Sequence, residues 1–265
     1  MFVDSHAHLD KDISSTNINN IVKNSNKNNV SSILSINTKI SEFDQLYKLI
    51  KNYNSIWCSV GEHPCNIRKD FIPSKDLILS KINKKVIAIG ETGIDLYYSK
   101  NNIDFQIESL KNHIDASIES DLPIIIHMRD SENELMEILC KENHKNKLKL
   151  VMHCFLGSKE LLNKCLDQDF YISISGIVTF KKSFDLQNLI KDIPLNRLLI
   201  ETDSPFLSPV PYRGKQNEPS YIIHTADYIS SILGIDISII ANTTSDNFYN
   251  LFSKAKKYEK IHYES

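Results

Sequence analysis

The chain has 265 residues, 41% of them hydrophobic and 24% charged, with a formal net charge of −2. That composition is ordinary for a globular protein and excludes disordered, collagen-like and disulfide-framework classes. The near-neutral charge excludes nucleic-acid binding by bulk positive charge, so any phosphate recognition must be local.

Taken in chain order, short β-branched runs alternate with longer amphipathic stretches. A strand is predicted at Phe2–Ser5. The Asn/Lys/Ser-rich stretch Ser15–Ser32 follows, and Ile18, Ile21 and Val22 recur in it at helical spacing, which predicts a first helix with a polar outer face. Strand Val30–Ile36, helix Ile40–Tyr53, strand Ser55–Val60, helix Lys75–Ile82 and strand Val86–Ile89 come next. In the helix Ile103–Ser120, Ile103, Ile107, Leu110, Ile114 and Ile118 form an apolar stripe stepping by three or four. Strand Pro123–Ile126, helix Glu132–Glu142, strand Lys149–Met152, helix Lys159–Leu166, strand Phe170–Ile174, helix Phe184–Ile190 and strand Arg197–Ile200 complete the series. Eight strands alternating with helices predict a parallel sheet, and eight is the closure number of the TIM barrel. The expected fold is therefore α/β, a single-domain (β/α)8 barrel over residues 1–253. A charged tail at 254–265 is expected to be frayed or a surface helix.

The five cysteines are odd in number and lack C-x-x-C spacing, which predicts free thiols in a reducing compartment and no thiolate zinc site. Met1-Phe2-Val3-Asp4 lacks the basic-then-apolar order of a signal peptide. No apolar run approaches the roughly 20 residues of a membrane span. A cytoplasmic location without membrane association is expected.

Five of the nine histidines fall at or just past predicted strand ends. His6 and His8 follow strand one, where a period of two puts both on one face. His63 follows strand three, and His127 and His153 terminate strands five and six. Glu91 is read as ending strand four and Asp203 strand eight. A strand-end histidine taken singly is more often a capped or solvated residue. Six imidazoles and carboxylates from five strand ends are another matter, because in a parallel barrel those ends converge on one mouth, where catalytic groups sit. His6, His8, Glu91, His127, His153 and Asp203 exceed the three or four protein ligands of one zinc. Two divalent cations per chain are therefore expected, one on the H-x-H pair with a carboxylate and one on the other two histidines, with Glu91 bridging. Such a pair activates water and neutralises charge developing on a phosphoryl or carbonyl oxygen, with Asp203 as ligand and proton acceptor. The imidazole-rich shell suits Zn, Fe or Mn better than Mg, and the choice among them stays open.

Only four arginines stand among the 31 basic residues. Arg129 lies two residues past His127 and Arg213 lies in the loop after Asp203, so both are candidates to grip a phosphate bidentately. Arg68 and Arg197 are read as surface or structural. Asp4 and Asp95 are candidates to orient an imidazole. Strand alternation aims Cys154 away from His153, toward the helices. Trp57 is expected in the core, and His113, His144, His224 and His262 at the surface or partly buried.

The same residues resemble the TatD family of metal-dependent hydrolases, within the amidohydrolase-like barrels. The resemblance is carried by Asp4-Ser5-His6-Ala7-His8-Leu9-Asp10, Gly61-Glu62-His63-Pro64, Ile89-Gly90-Glu91-Thr92-Gly93-Ile94-Asp95 and His127-Met128-Arg129. It continues in His153-Cys154-Phe155-Leu156-Gly157, Glu201-Thr202-Asp203-Ser204-Pro205, Pro211-Tyr212-Arg213-Gly214-Lys215 with Asn217-Glu218-Pro219, and Asn247. It implies a (β/α)8 barrel, a divalent-metal site and DNase activity, often as a 3′–5′ exonuclease. By that match His6, His8, Glu91, His127, His153 and Asp203 are the metal ligands, and His63 and Arg129 are phosphate-binding or catalytic. Leu156, Ile94 and Leu96 depart from the family pattern in loops. The function expected is hydrolysis of DNA phosphodiesters, with RNA as a further substrate, by a monomer needing no protein partner. The alternatives are an amide or ester hydrolase on the same barrel, for example deacylating aminoacyl-tRNA, and a non-catalytic nucleic-acid-binding module.

Overall fold

A computed structural model describes residues 1–10, 15–140 and 147–255. Eight strands, all paired in parallel in the order β1 to β8, form one sheet. They are β1 (Phe2–Ala7), β2 (Val30–Ser35), β3 (Ile56–Val60), β4 (Val86–Asp95), β5 (Ile124–Arg129), β6 (Leu150–Met152), β7 (Tyr171–Ile174) and β8 (Leu198–Ile200). Between them run α1 (Ser15–Lys27), α2 (Phe43–Ile50), α3 (Lys75–Ser80), α4 (Ile103–Ser120), α5 (Glu132–Leu139), α6 (Lys159–Asp167) and α7 (Phe184–Leu189), followed by α8 (Ile222–Leu233) and α9 (Ile237–Leu251). This is the (β/α)8 barrel that the alternation predicts.

The last strand meets the first through a parallel bridge between Ala7 and Ser204. The His8 amide donates to the Ser204 carbonyl at 2.7 Å and the Asp203 amide to the His6 carbonyl at 2.9 Å. Deeper in the barrel, the Ser5 hydroxyl donates to the Ile200 carbonyl at 2.9 Å and lies 3.1 Å from the Ser173 hydroxyl.

Outward-facing strand residues such as Ile33, Val60, Ile89 and Ile126 pack beneath the helices in one large core. A second core fills the barrel itself, with Val3, Leu34, Trp57, Ile87, Ile125, Val151 and Leu199 resting on Phe248, Leu251 and Phe252 at the end of α9. That helix is therefore the barrel's floor. The first two residues of the charged tail belong to it, contrary to a frayed end. Ala255 is fully buried. Lys254 Nζ donates to the carbonyls of Asn83 and Val86 at 2.8 and 2.7 Å. The remainder of the tail, with His262, lies outside the described residues, as does His144.

Strands four and five run further than their apolar runs suggest. Glu91 and His127 lie inside β4 and β5 rather than ending them. The β4–β5 pairing slips between Ile89 and Thr92, and glycines permit the slip. A Cβ on Gly90 (φ 125°) would meet the Ile125 carbonyl oxygen at 2.7 Å, and one on Gly93 (φ 148°) the His127 carbonyl oxygen at 1.9 Å. Only glycine fits either position, and the irregularity they allow turns Glu91 inward.

Candidate metal centre

Every residue singled out as a ligand comes to the C-terminal mouth. β1 delivers His6 and its extension His8, β4 Glu91, β5 His127, the exit of β6 His153 and the exit of β8 Asp203. Glu91 stands at the middle, its side chain 3% exposed. Its Oε1 lies 3.0 Å from His127 Nδ1 and 3.3 Å from His153 Nε2. Its Oε2 lies 3.4 Å from His6 Nε2 and 3.9 Å from His8 Nε2. Asp203 Oδ1 completes the second group, 3.1 Å from His8 Nε2 and 3.8 Å from His6 Nε2. The carboxylate thus faces two imidazole sets with two different oxygens.

Hydrogen bonds behind the ring decide which nitrogens are free to ligate. His127 Nε2 lies 3.1 Å from Asp95 Oδ2 while its Nδ1 faces Glu91. Burial opposes charge on the ring, but the carboxylates on either side raise its pKa. Asp95 also accepts from the Tyr98 amide at 2.7 Å, so it both orients an imidazole and anchors its loop. His153 Nδ1 lies 2.9 Å from Glu201 Oε1, which turns Nε2 toward Glu91. In both cases a ring nitrogen stands about 3 Å from a carboxylate oxygen with a proton between them, the position a metal ion can take. Donors 2.0–2.1 Å from a tetrahedral zinc would stand roughly 3.3 Å from one another. Both nitrogens of His6 and Nδ1 of His8 are buried with no hydrogen-bond partner among the described residues. The donor set fits divalent cations, and the groups close enough to hold one include His6–His8–Asp203 and His63–Glu91–His127.

Electrostatics points the same way. Burial pushes the Glu91 carboxyl up, but His153, His63 and the hydrogen bonds from His127 and His153 outweigh it and hold it well below its ordinary value. Burial likewise opposes charge on His153, yet Glu201 and Glu91 raise it well above the ordinary imidazole range. The field that stabilises a proton there also stabilises a metal ion, which takes the proton's place on binding. Burial drives His6 down to about 3, leaving it neutral and able to ligate.

His63 has a different character. Its Nδ1 accepts from the Cys65 amide at 3.1 Å, and burial holds it near 3, so the neutral ring carries its proton on Nε2, 3.5 Å from Glu91 Oε1. In that tautomer the Nε2–H is a donor toward a substrate oxygen, and His63 joins the Glu91–His127 group as a ligand only by giving that proton up.

Several sequence readings shift. Asp4 touches no imidazole. It accepts from the Thr202 amide (2.9 Å), the Thr202 hydroxyl (2.5 Å) and the His6 amide (3.3 Å), pinning β1 to the exit of β8. Cys154 takes a left-handed backbone (φ 45°), which breaks alternation, and its thiol turns to the Ser175 hydroxyl at 3.2 Å rather than to the helices. His113 is fully buried: its Nδ1 lies 2.7 Å from the Ser109 carbonyl and its Nε2 accepts from the Glu62 amide at 3.1 Å, steadying the turn that presents His63. Trp57 is in the barrel core, as expected.

The ligands open onto a cavity of about 320 Å³ whose other walls are Thr38, Lys39, Asn66 and Phe206. Arg129 and Arg213 are not among its lining residues. Arg129 stacks 4.0 Å over the Tyr97 ring and 4.7 Å from Tyr98, and Arg213 lies 3.6 Å over Phe180, both exposed on the rim. Arg197 pairs with Asp169 at 2.6 Å and Arg68 with Asp70 at 3.5 Å, away from the site. Glu201, Lys39 and Phe206 escaped the sequence reading. A second carboxylate two residues before Asp203 is the one signal that could have shown Glu201. The loop after β2, held by Asn37 bonds to Ser59, Lys39 and Gly61, carried no motif.

A model of the TatD-related DNase family matches residues 3–253. The chain is 43% identical over 261 residues to an uncharacterised metal-dependent hydrolase of Buchnera aphidicola (subspecies Acyrthosiphon pisum), covering 95% of this chain and 98% of that one. It is 31% identical over 230 residues to the 3′–5′ ssDNA/RNA exonuclease TatD of Salmonella typhimurium, covering 84% and 88%. In three dimensions it matches the crystal structure of YjjV, a TatD homologue from Escherichia coli, with a TM-score of 0.87 at 24% identity, covering 95% and 98%. The chain belongs to the TatD-related DNase family and is a metal-dependent hydrolase of that family.

Proposed function

We propose that this hydrolase cleaves phosphodiester bonds of DNA, and after it of RNA, removing nucleotides from a 3′ end. The observation that carries the reading is the division of Glu91's two oxygens between two imidazole sets, which suits a pair of cations around one charged, phosphate-sized substrate. The name of the Salmonella relative supports the polarity and the single-stranded substrate. His6, His8, Asp203 and Glu91 Oε2 would hold one divalent ion, and His127, His153 and Glu91 Oε1 the other, with Zn, Mn or Mg as candidates. Bound there, such ions supply Lewis acidity toward the phosphoryl oxygen and a lowered pKa for the attacking water.

The remaining work falls to the chain's own groups. The Asp203 carboxylate takes the proton of the water that attacks phosphorus. The bond from phosphorus to the neighbouring sugar oxygen then breaks, and that oxygen takes the proton back from Asp203, leaving a 3′-hydroxyl on the shortened strand and a released nucleoside 5′-monophosphate. His63 Nε2–H donates to a phosphoryl oxygen, and Lys39 is the one lysine or arginine among the lining residues of the cavity. Arg129 and Arg213, on the rim, hold phosphates of the strand beyond the scissile bond. The protein acts as a monomer in a reducing compartment such as the cytoplasm.

The carbonyl-hydrolase reading draws on one observation, the absence of both arginines from the cavity lining, since a neutral ester needs no cationic grip. End-labelled single- and double-stranded DNA and RNA, incubated with Mg, Mn and Zn separately and with chelator controls, test the nuclease reading. Metal-dependent shortening from the 3′ end is expected. Intact oligonucleotides from a metal-loaded protein would overturn it. Arg129→Ala or Arg213→Ala should lower kcat/KM on DNA by roughly 10- to 150-fold and leave a neutral ester nearly unaffected.

A further inference from the structure

Beside its imidazoles, carboxylates, Lys39, Thr38 and Asn66, the cavity has one wall that is a carbocyclic aromatic face. Phe206 provides it, with its ring edge-on to His8 at a centroid distance of 5.9 Å and the residue 53% exposed. A lone exposed aromatic on a protein surface is ordinary. This ring, however, lines the same cavity as Glu91 and Asp203, where the reacting bond of a substrate must lie.

The backbone that carries the ring is also held. The Phe206 amide donates to the Asp203 carbonyl at 2.9 Å. The Asn217 side-chain amide, in turn, donates to the carbonyls of both Phe206 (2.7 Å) and Thr202 (2.8 Å). Asp203 and Phe206 are thus two ends of one clamped turn, which sets a charged group and a flat apolar face at a constant separation. That combination matches a nucleotide, with the phosphate directed to the carboxylate–imidazole centre and the base to the ring. Every base has a π-face, so an aromatic platform binds bases with little regard to identity.

We propose that Phe206 stacks the base of the nucleotide whose phosphodiester is cleaved. The proposal rests on the nuclease reading above and names the residue that makes the substrate a nucleotide rather than any phosphodiester. Tyr97 and Tyr98, also exposed, lie past β4, which is four strands from β8 around the ring and therefore opposite Phe206. They serve as the internal control.

The experiment measures 3′-end cleavage of a single-stranded oligonucleotide and of the same strand with an abasic terminal nucleotide, using metal-loaded wild type, Phe206→Ala, Phe206→Leu, Phe206→Tyr and Tyr98→Ala. Phe206→Ala should lose about 5- to 150-fold in kcat/KM on the base-bearing end, chiefly through KM. Phe206→Leu keeps the packing but not the π-face and should lose a similar factor, while Phe206→Tyr retains activity. The gap between wild type and Phe206→Ala should close on the abasic end. Equal losses on both ends, rescue by leucine, or metal content falling in parallel with activity would make Phe206 a packing residue and overturn the proposal. A base-dependent loss in Tyr98→Ala but not in Phe206→Ala would move the base to the opposite rim and overturn it as well. Failure of the wild type on every oligonucleotide would instead overturn the nuclease reading and this inference with it.

Discussion

At the floor of the barrel, polar groups end on backbone carbonyls. Lys85 Nζ donates to Tyr53 and Ile56 at 2.6 and 3.1 Å, Lys254 to Asn83 and Val86, and Asn247 to Leu195 and Leu198 at 2.7 and 2.8 Å. At the mouth of the same strands, imidazole nitrogens face carboxylate oxygens or no partner at all. The floor satisfies its polar groups from within, whereas the mouth is complementary to something that must be added. A barrel can keep its stability and its chemistry at opposite ends of the same eight strands.

The two ends should therefore respond to different substitutions. Phe248→Ala, beneath the barrel core, should cost about 3–5 kcal/mol of stability in urea denaturation with turnover per folded molecule unchanged. A fall in turnover at low temperature, where both proteins are folded, would break the separation. His113 tests the boundary between the ends. Burial lowers it from 6.5 to about 4. A histidine held down in this way favours the folded state while neutral, so its contribution is complete above pH 6.5 and is lost as the pH falls toward 4. That loss reaches about 3 kcal/mol at the bottom of the window. His113→Gln should flatten this acid limb when melting is followed against pH, and an unchanged limb would place the acid sensitivity elsewhere. At the mouth, Asp203→Asn should lower kcat by about 10²-fold with melting temperature and KM little altered; near-normal turnover at saturating metal would reduce Asp203 to scaffolding. Glu201→Gln keeps an acceptor for His153 but loses the charge. It should weaken metal affinity about 10- to 100-fold in a calorimetric titration, and unchanged affinity would detach Glu201 from the centre.

The strands were legible because each carries a β-branched run between polar segments. α4 has the bounds its stripe predicts, but its buried face is Gln106, Ser109, Leu110, His113, Ile114, Ala116 and Ser117, so only Leu110 and Ile114 of the stripe are fully buried. The ligands were legible because strand ends in a parallel barrel share one face. Glu91 and His127 were misjudged as strand ends because polar residues interrupt the apolar run on which such a reading depends, while backbone pairing continues past them. The partners that fix tautomers were harder to see. Glu201 meets His153 across 48 positions, and nothing in spacing along one chain encodes that contact. Arg129 and Arg213 were placed by their distance in sequence from a ligand, but the aromatic rings of Tyr97 and Phe180 take up their guanidinium faces. α8 completes the eighth βα unit although no helix was read after Asp203, and only α9 lies outside the repeat.

The Asp4–Thr202 contact joins positions 198 residues apart, so the ring is closed by a contact between the two extremes of its own chain. The entropy lost in tying such a loop grows only logarithmically, about 0.6 kcal/mol for each doubling of length. Lengthening a connection anywhere between those extremes is thus nearly neutral for closure, whereas a change at Asp4 or Thr202 acts on the closing contact at full strength. The loops that carry Lys39 and Tyr98 fall inside that interval, free to be rebuilt for new substrates while the seam stays constant; Phe206 lies just beyond it, on the turn that Asn217 clamps to Thr202.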